Sequence, residues 1–299
     1  MKKQLYAGCA VAALGIALPM AADAAENGMI QYAPGSAQFY AGAIPPVPGL
    51  YILSQTSIAN SDEMTGSDGN ALPFRFSADV KVETIRLLGV TDHHIGGGRL
   101  FWQAVFPIML DLDLQAGPYS GSNKGLADTT VSAGLAWHQG PHTYVTGLDI
   151  GLPTGSYRAG RIANPGLNYW SVQPTVGYHY LDFRNPKWEV GVMGRYIHNG
   201  KNDDTDYTTG DQIVFDFAVG RHFGPWRIGA AGYYQQQVSD DKGAGAAADG
   251  HRSMGIGLGP SITYTFPGHK QLGISYMKDI KAENRNKGET VQISFSTKF

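Results

Sequence analysis

Cysteine is almost absent from this 299-residue chain, which contains a single one, Cys9. It lies in an N-terminal stretch where Lys2 and Lys3 precede an apolar run and Ala22-Asp23-Ala24 supplies small residues for cleavage, the pattern of a secretory signal. We therefore predict that residues 1–24 are a signal peptide. The exported chain then has no thiol, which excludes disulfides, thiolate catalysis and cysteine metal sites.

Long apolar runs, excess charge and enzyme motifs are also missing. No apolar run approaches the roughly 20 residues that a membrane-spanning helix needs. Only 16% of residues are charged and the formal net charge is −2, which gives no reason to expect nucleic acid as a partner. Neither a Gly-x-Ser-x-Gly elbow nor a His-Glu-x-x-His zinc motif occurs. The acidic run beginning at Asn202 fails the calcium-loop pattern, because the twelfth position from Asp204 is Phe215. The sequence predicts no enzyme, no cofactor and no metal site.

Alternation of apolar and polar residues is the main positive signal. At the C-terminus Val291, Ile293, Phe295 and the final Phe299 alternate with polar residues, as in the closing strand of a transmembrane β-barrel. The period of two recurs along the chain, as strands require. Twelve such segments are predicted, near 48–57, 73–91, 99–116, 126–138, 142–153, 168–181, 187–198, 211–222, 226–238, 253–266, 271–280 and 289–299.

An even number of strands places both termini in the periplasm, so the fold class is all-β, an antiparallel barrel of about 12 strands spanning the outer membrane. Residues 48–299 form this barrel, and residues 25–47, which lack alternation, form a periplasmic or lumen-entering extension. The segment 73–91 loses its alternation after Glu83, and a bulge there would restore it. Long polar connections are expected to be extracellular, near 58–72, 117–125, 154–167, 199–210, 239–252 and 281–288.

The phase of Phe299, taken as lipid-facing, identifies the residues of the lumen wall. Gly255, Gly257, Gly259 and Ser261 should leave a groove along that wall, either a solute track or a packing surface for a plug. Charged side chains belong inside, since Arg or Lys on the lipid face costs about 2–4 kcal/mol at the midplane. They form either an ion-pair lattice that stiffens the lumen or a selectivity element. The inward set is Asp79, Lys81, Asp111, Asp113, Asp149, Glu189, Arg195, Asp216 and Arg227.

Several loose motifs, in order along the chain, resemble one family. They are Pro45-Pro46-Val47-Pro48-Gly49-Leu50-Tyr51, Leu152-Pro153-Thr154-Gly155-Ser156-Tyr157, the loop from Asn199 to Asp211, the run from Gly232 to Asp241, and Ala282-Glu283-Asn284-Arg285. The chain resembles the outer-membrane transporters labelled for the meta-cleavage pathway of phenol degradation. That resemblance implies passage of aromatic or other hydrophobic small molecules, and it implies that the barrel assembly machinery reads Phe299 as a closing-strand signal.

The sequence thus predicts a channel in the outer membrane of a Gram-negative bacterium for passive passage of small hydrophobic or aromatic compounds. The alternative is a plugged structural or adhesive barrel without transport. Expected partners are outer-membrane lipid and lipopolysaccharide, the assembly machinery and the solute. Divalent cations that bridge the Asn202–Asp206 loop to lipopolysaccharide are a further alternative to a simply solvated loop.

Overall fold

The architecture is all-β. A computed structural model describes residues 30–247, 250 and 252–299, so the predicted signal peptide, residues 1–24, lies outside the described residues. Within the described ranges no helix is long and apolar enough to cross a membrane, and a 3-10 turn, Gln38–Tyr40, precedes the first strand. The strands are β1 (Gly49–Met64), β2 (Phe76–Ile95), β3 (Gly98–Ala116), β4 (Tyr119–Leu126), β5 (Thr129–Gln139), β6 (His142–Leu152), β7 (Ser171–Leu181), β8 (Trp188–Asn199), β9 (Lys201–Asn202), β10 (Tyr207–Thr208), β11 (Gln212–Phe223), β12 (Trp226–Gln237), β13 (Lys242–Gly243), β14 (Met254–Phe266), β15 (Lys270–Glu283) and β16 (Asn286–Lys298).

Thirteen strands form one antiparallel sheet that closes on itself, because β1 pairs with both β2 and β16 and β2 also pairs with β3. β4 and β5 share one position, since β4 pairs with the second half of β3 and β5 with its first half. The closed barrel therefore has twelve strand positions, as the sequence predicted. Closure leaves no sheet edge, which allows every backbone group to be paired inside a membrane. β9, β10 and β13 form a separate small sheet.

The two faces of the barrel differ in polarity as a membrane barrel requires. On β16, Val291, Ile293 and Phe295 are 37%, 47% and 42% exposed, whereas Gln292 between them is buried. Phe299 is exposed, and its backbone N–H donates to the Leu50 carbonyl at 2.9 Å, which ties the C-terminus to the start of β1. The alternation on this strand separates an apolar outer surface from a polar interior.

Many glycines face an aromatic ring across the ladder. Trp102 lies opposite Gly89 and Phe215 opposite Gly194, and a Cβ added to either glycine would lie 2.2 Å or 2.7 Å from the ring. A ring that covers the missing side chain packs closely on the neighbouring strand. The abundance of glycine and aromatic residues therefore serves packing between strands.

Two predicted loops are largely strand. The 117–125 connection contains most of β4, joined to β3 by a two-residue turn, and the 281–288 connection reduces to the two residues between β15 and β16, Asn284 and Arg285. Asn284 adopts a positive φ of 50°, which suits such a tight turn. These segments are polar on both faces because they extend beyond the apolar belt, so their hydropathy does not reveal them as strands.

Four of the predicted inward charges face outward instead. Asp79, Lys81, Asp111 and Asp113 are exposed, whereas Ala78 and Leu112 beside them are buried. The physical reason is the register of β2 with β1, which sets the face on which each side chain of β2 lies. β2 stays in register with β1 without a shift from residue 78 to residue 90, and the irregularity lies in the pairing of β2 with β3. The bulge expected in β2 after Glu83 is therefore not there.

Which barrel end faces the cell exterior stays a prediction. Because the single natural cysteine, Cys9, lies in the predicted signal peptide, single cysteines placed at Asp204 and Ala246, in the long connections, should react with a membrane-impermeant maleimide on intact cells. Cysteines at Gly140 and Pro225, in short turns, should react only after the outer membrane is permeabilised. The reverse labelling pattern would invert the barrel.

Candidate functional site

Polar side chains on the inner faces of β6, β7 and β8 form a buried cluster. Arg195 Nη1 donates to Asp149 Oδ2 at 3.0 Å and to Gln173 Oε1 at 2.8 Å. The registers bring them together, since Asp149 lies opposite Gln173 and Thr175 opposite Arg195. A buried charge without a partner is costly. The pairing of Arg195 with Asp149 offsets much of that cost.

A second cluster surrounds Glu189. Its Oε1 accepts from Arg227 Nη1 at 2.6 Å and lies 3.0 Å from His179 Nε2, while its Oε2 lies 2.7 Å from His222 Nε2. Glu189 is 1% exposed and Arg227 6%. The four residues come from β7, β8, β11 and β12, so this cluster ties four strands together from the inside.

Residues 30–47, which we call the N-terminal segment, contact these inner side chains. Asp216 of β11 accepts hydrogen bonds from the Tyr32 hydroxyl and from two backbone N–H groups, those of Gly35 at 2.8 Å and Ala37 at 3.3 Å. The Arg195 guanidinium stacks over the Tyr32 ring, 3.6 Å from its centroid. A charge-assisted bond is roughly twice as strong as a neutral one, so Asp216 is the main polar anchor of the segment.

Further contacts hold the segment along its length. The Phe39 ring lies under Arg227, with 4.2 Å from the guanidinium carbon to the ring centroid. Gln38 Nε2 donates to Gln292 Oε1 at 2.9 Å. Ile44 packs in an apolar cluster with residues that include Leu88 and Phe101. The segment thus touches inner residues of strands on several sides of the barrel, and it occupies much of the lumen.

The N-terminal segment begins close to a long connection. Gln31 Nε2 donates to Asp128 Oδ2 at 3.2 Å and to the Tyr169 carbonyl at 3.0 Å. Asp128 also accepts from the backbone N–H groups of Gly155 at 2.9 Å and Leu167 at 2.8 Å. Burial raises the pKa of the Asp128 carboxyl, and these donors act against that rise. Asp128 therefore joins the N-terminal segment to both ends of the long connection between β6 and β7.

A cavity of about 500 Å³ lies next to the N-terminal segment, at the end of the barrel that has the short turns. Its wall is mostly apolar, with Phe39, Tyr40, Ile44 and Leu88 among the lining residues, and it includes the basic side chain of Arg86. Cavities of about 300–1,000 Å³ with mostly apolar walls are typical of small-molecule sites. The lumen thus contains a filled region and an open chamber.

The predicted lumen-wall residues lie as follows. Asp149, Glu189, Asp216, Arg227 and Ser261 are 1–6% exposed, the Arg195 side chain is 9% exposed, and Gly255 and Gly257 are buried while Gly259 is partly so. The five charged residues make the contacts given above.

The glycine strip is not an open groove, however. A Cβ on Gly257 would lie 2.2 Å from Cε1 of Tyr233, and one on Gly255 would lie 2.4 Å from Nη1 of Arg285. Of the two alternatives for this strip, the open solute track is wrong, because Tyr233, directly opposite Gly257 in the ladder, fills the space that the glycine leaves. At Gly259 the obstacle is the backbone, with a Cβ only 1.8 Å from the Tyr276 carbonyl oxygen.

Sequence reasoning missed the residues that fill the lumen and line the chamber. Tyr32 and Phe39 lie in a stretch without alternation, so no periodic signal marks them. Arg86 does have a periodic signal, since it shares the inward phase of Leu88 and Val90. The break in alternation expected after Glu83 hid that signal. In the described part of the chain no group of three or more His, Cys, Asp or Glu residues could hold a metal ion.

The fold and lumen define the class, a closed transmembrane-type β-barrel filled in part by its own N-terminal segment. A family model described as "MetA-pathway of phenol degradation" matches residues 61–295, and the chain belongs to that family. No curated protein matches the sequence.

Solved structures share the fold. An outer-membrane channel from Pseudomonas putida F1 is similar, with a TM-score of 0.75 and 19% identity over 90% of this chain and 100% of that one. The β-domain of the Bordetella autotransporter BrkA is similar with a TM-score of 0.51 and 13% identity, over 85% of this chain and 100% of that one. At these identities the likeness shows the fold alone, that of outer-membrane β-barrels.

Proposed function

We propose that this protein is an outer-membrane channel for the passive passage of small hydrophobic or aromatic compounds. The observation that carries the proposal is the largely apolar chamber of about 500 Å³ inside the barrel. Family membership adds support through its phenol-degradation description, and the similar Pseudomonas putida F1 protein is an outer-membrane channel. No enzymatic role is proposed.

The chemistry of passage follows from the two regions of the lumen. A solute that enters among the long connections meets the N-terminal segment, which must shift for the solute to pass. It then reaches the chamber, where ring faces such as those of Phe39 and Tyr40 offer weak apolar contacts. Weak and repeated contacts allow a solute both to enter and to leave. Outer-membrane lipid, lipopolysaccharide and the barrel assembly machinery are the other proposed partners.

A second candidate function is a plugged structural or adhesive barrel, and the N-terminal segment favours it. Asp216 alone accepts three hydrogen bonds from that segment. If these contacts never open, the barrel conducts nothing and its role lies in its outer loops.

Planar-bilayer recordings separate the two candidates. We expect the purified barrel to give discrete conductance steps that small aromatic solutes interrupt. A strain lacking the gene should also grow more slowly than its complemented counterpart on limiting aromatic carbon sources, with equal growth on succinate as the control. An absence of conductance together with equal growth on every aromatic source would favour the structural role.

A further inference from the structure

An arginine lines the chamber at the short-turn end without a direct acid partner among the described residues. Arg86 of β2 points inward beside Leu88, and both line the chamber. The Arg86 Nε atom is buried and has no hydrogen-bond partner. Among the residues that the structure describes, no acid forms an ion pair with the Arg86 guanidinium, and Asp149, which is paired with Arg195, attracts it only from a greater distance.

The other two inner arginines behave differently. Arg195 is paired with Asp149 at 3.0 Å and Arg227 with Glu189 at 2.6 Å. Glu189 also borders the chamber, but its two oxygens are taken up by Arg227, His179 and His222. Of the three inner arginines, Arg86 is therefore the one without a carboxylate in direct contact.

The mouth of the chamber is basic as well. Lys298 lines it, with its Nζ 5.8 Å from the centroid of the Tyr51 ring, and His269 lines it from the turn between β14 and β15. An anion that approaches this end meets Lys298 first and Arg86 further in. Apolar side chains such as Leu53 and Ile44 line the same chamber.

From this arrangement we propose that the chamber is a binding site for small aromatic carboxylates, with the carboxylate on Arg86 and the ring among the apolar side chains. This inference rests on the proposed channel function and names its solute class. A carboxylate matches the planar fork of a guanidinium in bidentate geometry. A guanidinium in an apolar wall gains most from a partner that brings its own negative charge. Neutral aromatics fill the apolar space without that gain.

The test is equilibrium dialysis of the folded full-length barrel in detergent against radiolabelled benzoate, benzamide and acetate. Benzamide keeps the ring without the charge, and acetate keeps the charge without the ring. We expect benzoate to bind about tenfold or more tightly than either, since a hydrogen bond to a charged group contributes about 1.5–3 kcal/mol. Arg86→Gln should lower benzoate binding to the benzamide level and leave benzamide binding unchanged.

Two variants serve as controls. Arg184→Gln alters an exposed arginine in a short turn at the same end of the barrel, and it should leave benzoate binding unchanged. Arg86→Lys keeps the charge without the fork and should retain part of the preference. Removal of the Arg86 charge leaves no buried acid unpaired, so heat-modifiable gel mobility should show that Arg86→Gln folds.

Equal binding of benzoate and benzamide by the folded wild type, or undiminished benzoate preference in folded Arg86→Gln, would overturn the carboxylate site. Neither result would contradict the proposed channel function, because that function is tested separately by the conductance recordings. Benzoate binding without any conductance would instead retain the site and overturn the channel.

Discussion

Deletion of residues 30–44 is expected to increase the single-channel conductance of the barrel several-fold. These residues occupy the lumen, where Asp216 binds the backbone of Gly35 and Ala37, and Phe39 stacks under Arg227. Their removal replaces packed side chains by water and widens the narrowest part of the path. The barrel should still form, because its closure depends on the backbone ladder between strands. Planar-bilayer recording of the variant and the wild type, both shown to be folded by heat-modifiable gel mobility, measures the difference.

A second variant tests whether loosening the N-terminal segment is enough to open the path, without removing any of its residues. Asp216→Ala removes the acceptor for Tyr32, Gly35 and Ala37 while every residue of the segment stays. We expect more frequent openings with a lower mean conductance than in the deletion. Asp203→Ala changes an exposed loop acid and should behave as wild type. Unchanged conductance in a folded deletion variant would mean that the N-terminal segment does not limit the path.

Hydropathy predicts the strands of this fold where the membrane requires an apolar outer face. Between Val291 and Phe299 the outer side chains must be apolar and the inner ones need not be, so the period of two is visible. Beyond the apolar belt that constraint ends. Near Asn284 and Arg285 the ends of β15 and β16 are polar, and their pairing with β14 and β1 identifies them as strand. The polar strand β4 is likewise identified by its pairing with β3. The sequence therefore predicts twelve strand positions but not how far each strand extends.

The interior is harder to read, because it depends on which strands meet and on what enters the lumen. Alternation marks Glu189 and Arg227 as inward, but their contact needs the order in which β8, β11 and β12 pair. Alternation also predicts that Gly257 faces inward, but it does not predict that the Tyr233 ring covers this glycine. The contacts of Tyr32 come from a segment without regular structure, and no pattern along the chain connects residue 32 with residue 216.

Replacement of Glu189 by Ala should strongly destabilise the barrel. Glu189 is buried and contacts Arg227, His179 and His222 within 2.6–3.0 Å. Its loss leaves Arg227 buried without a carboxylate. Breaking a buried pair from one side typically costs about 3–5 kcal/mol. Urea-induced unfolding of the barrel in lipid vesicles, followed by tryptophan fluorescence, should show the midpoint at lower urea concentration.

The double variant Glu189→Ala/Arg227→Met distinguishes the unpaired charge from lost packing. Because it removes the guanidinium as well, we expect it to recover much of the stability that Glu189→Ala loses. Glu283→Ala provides the surface control, since Glu283 pairs with Lys281 at 2.8 Å near the tip of a hairpin and the lysine is half exposed. An exposed pair contributes about 0–1 kcal/mol, so its midpoint should hardly move. If Glu189→Ala unfolds at the same urea concentration as Glu283→Ala, water must reach Arg227 in the folded barrel, and the chamber must then be hydrated up to the Glu189 cluster.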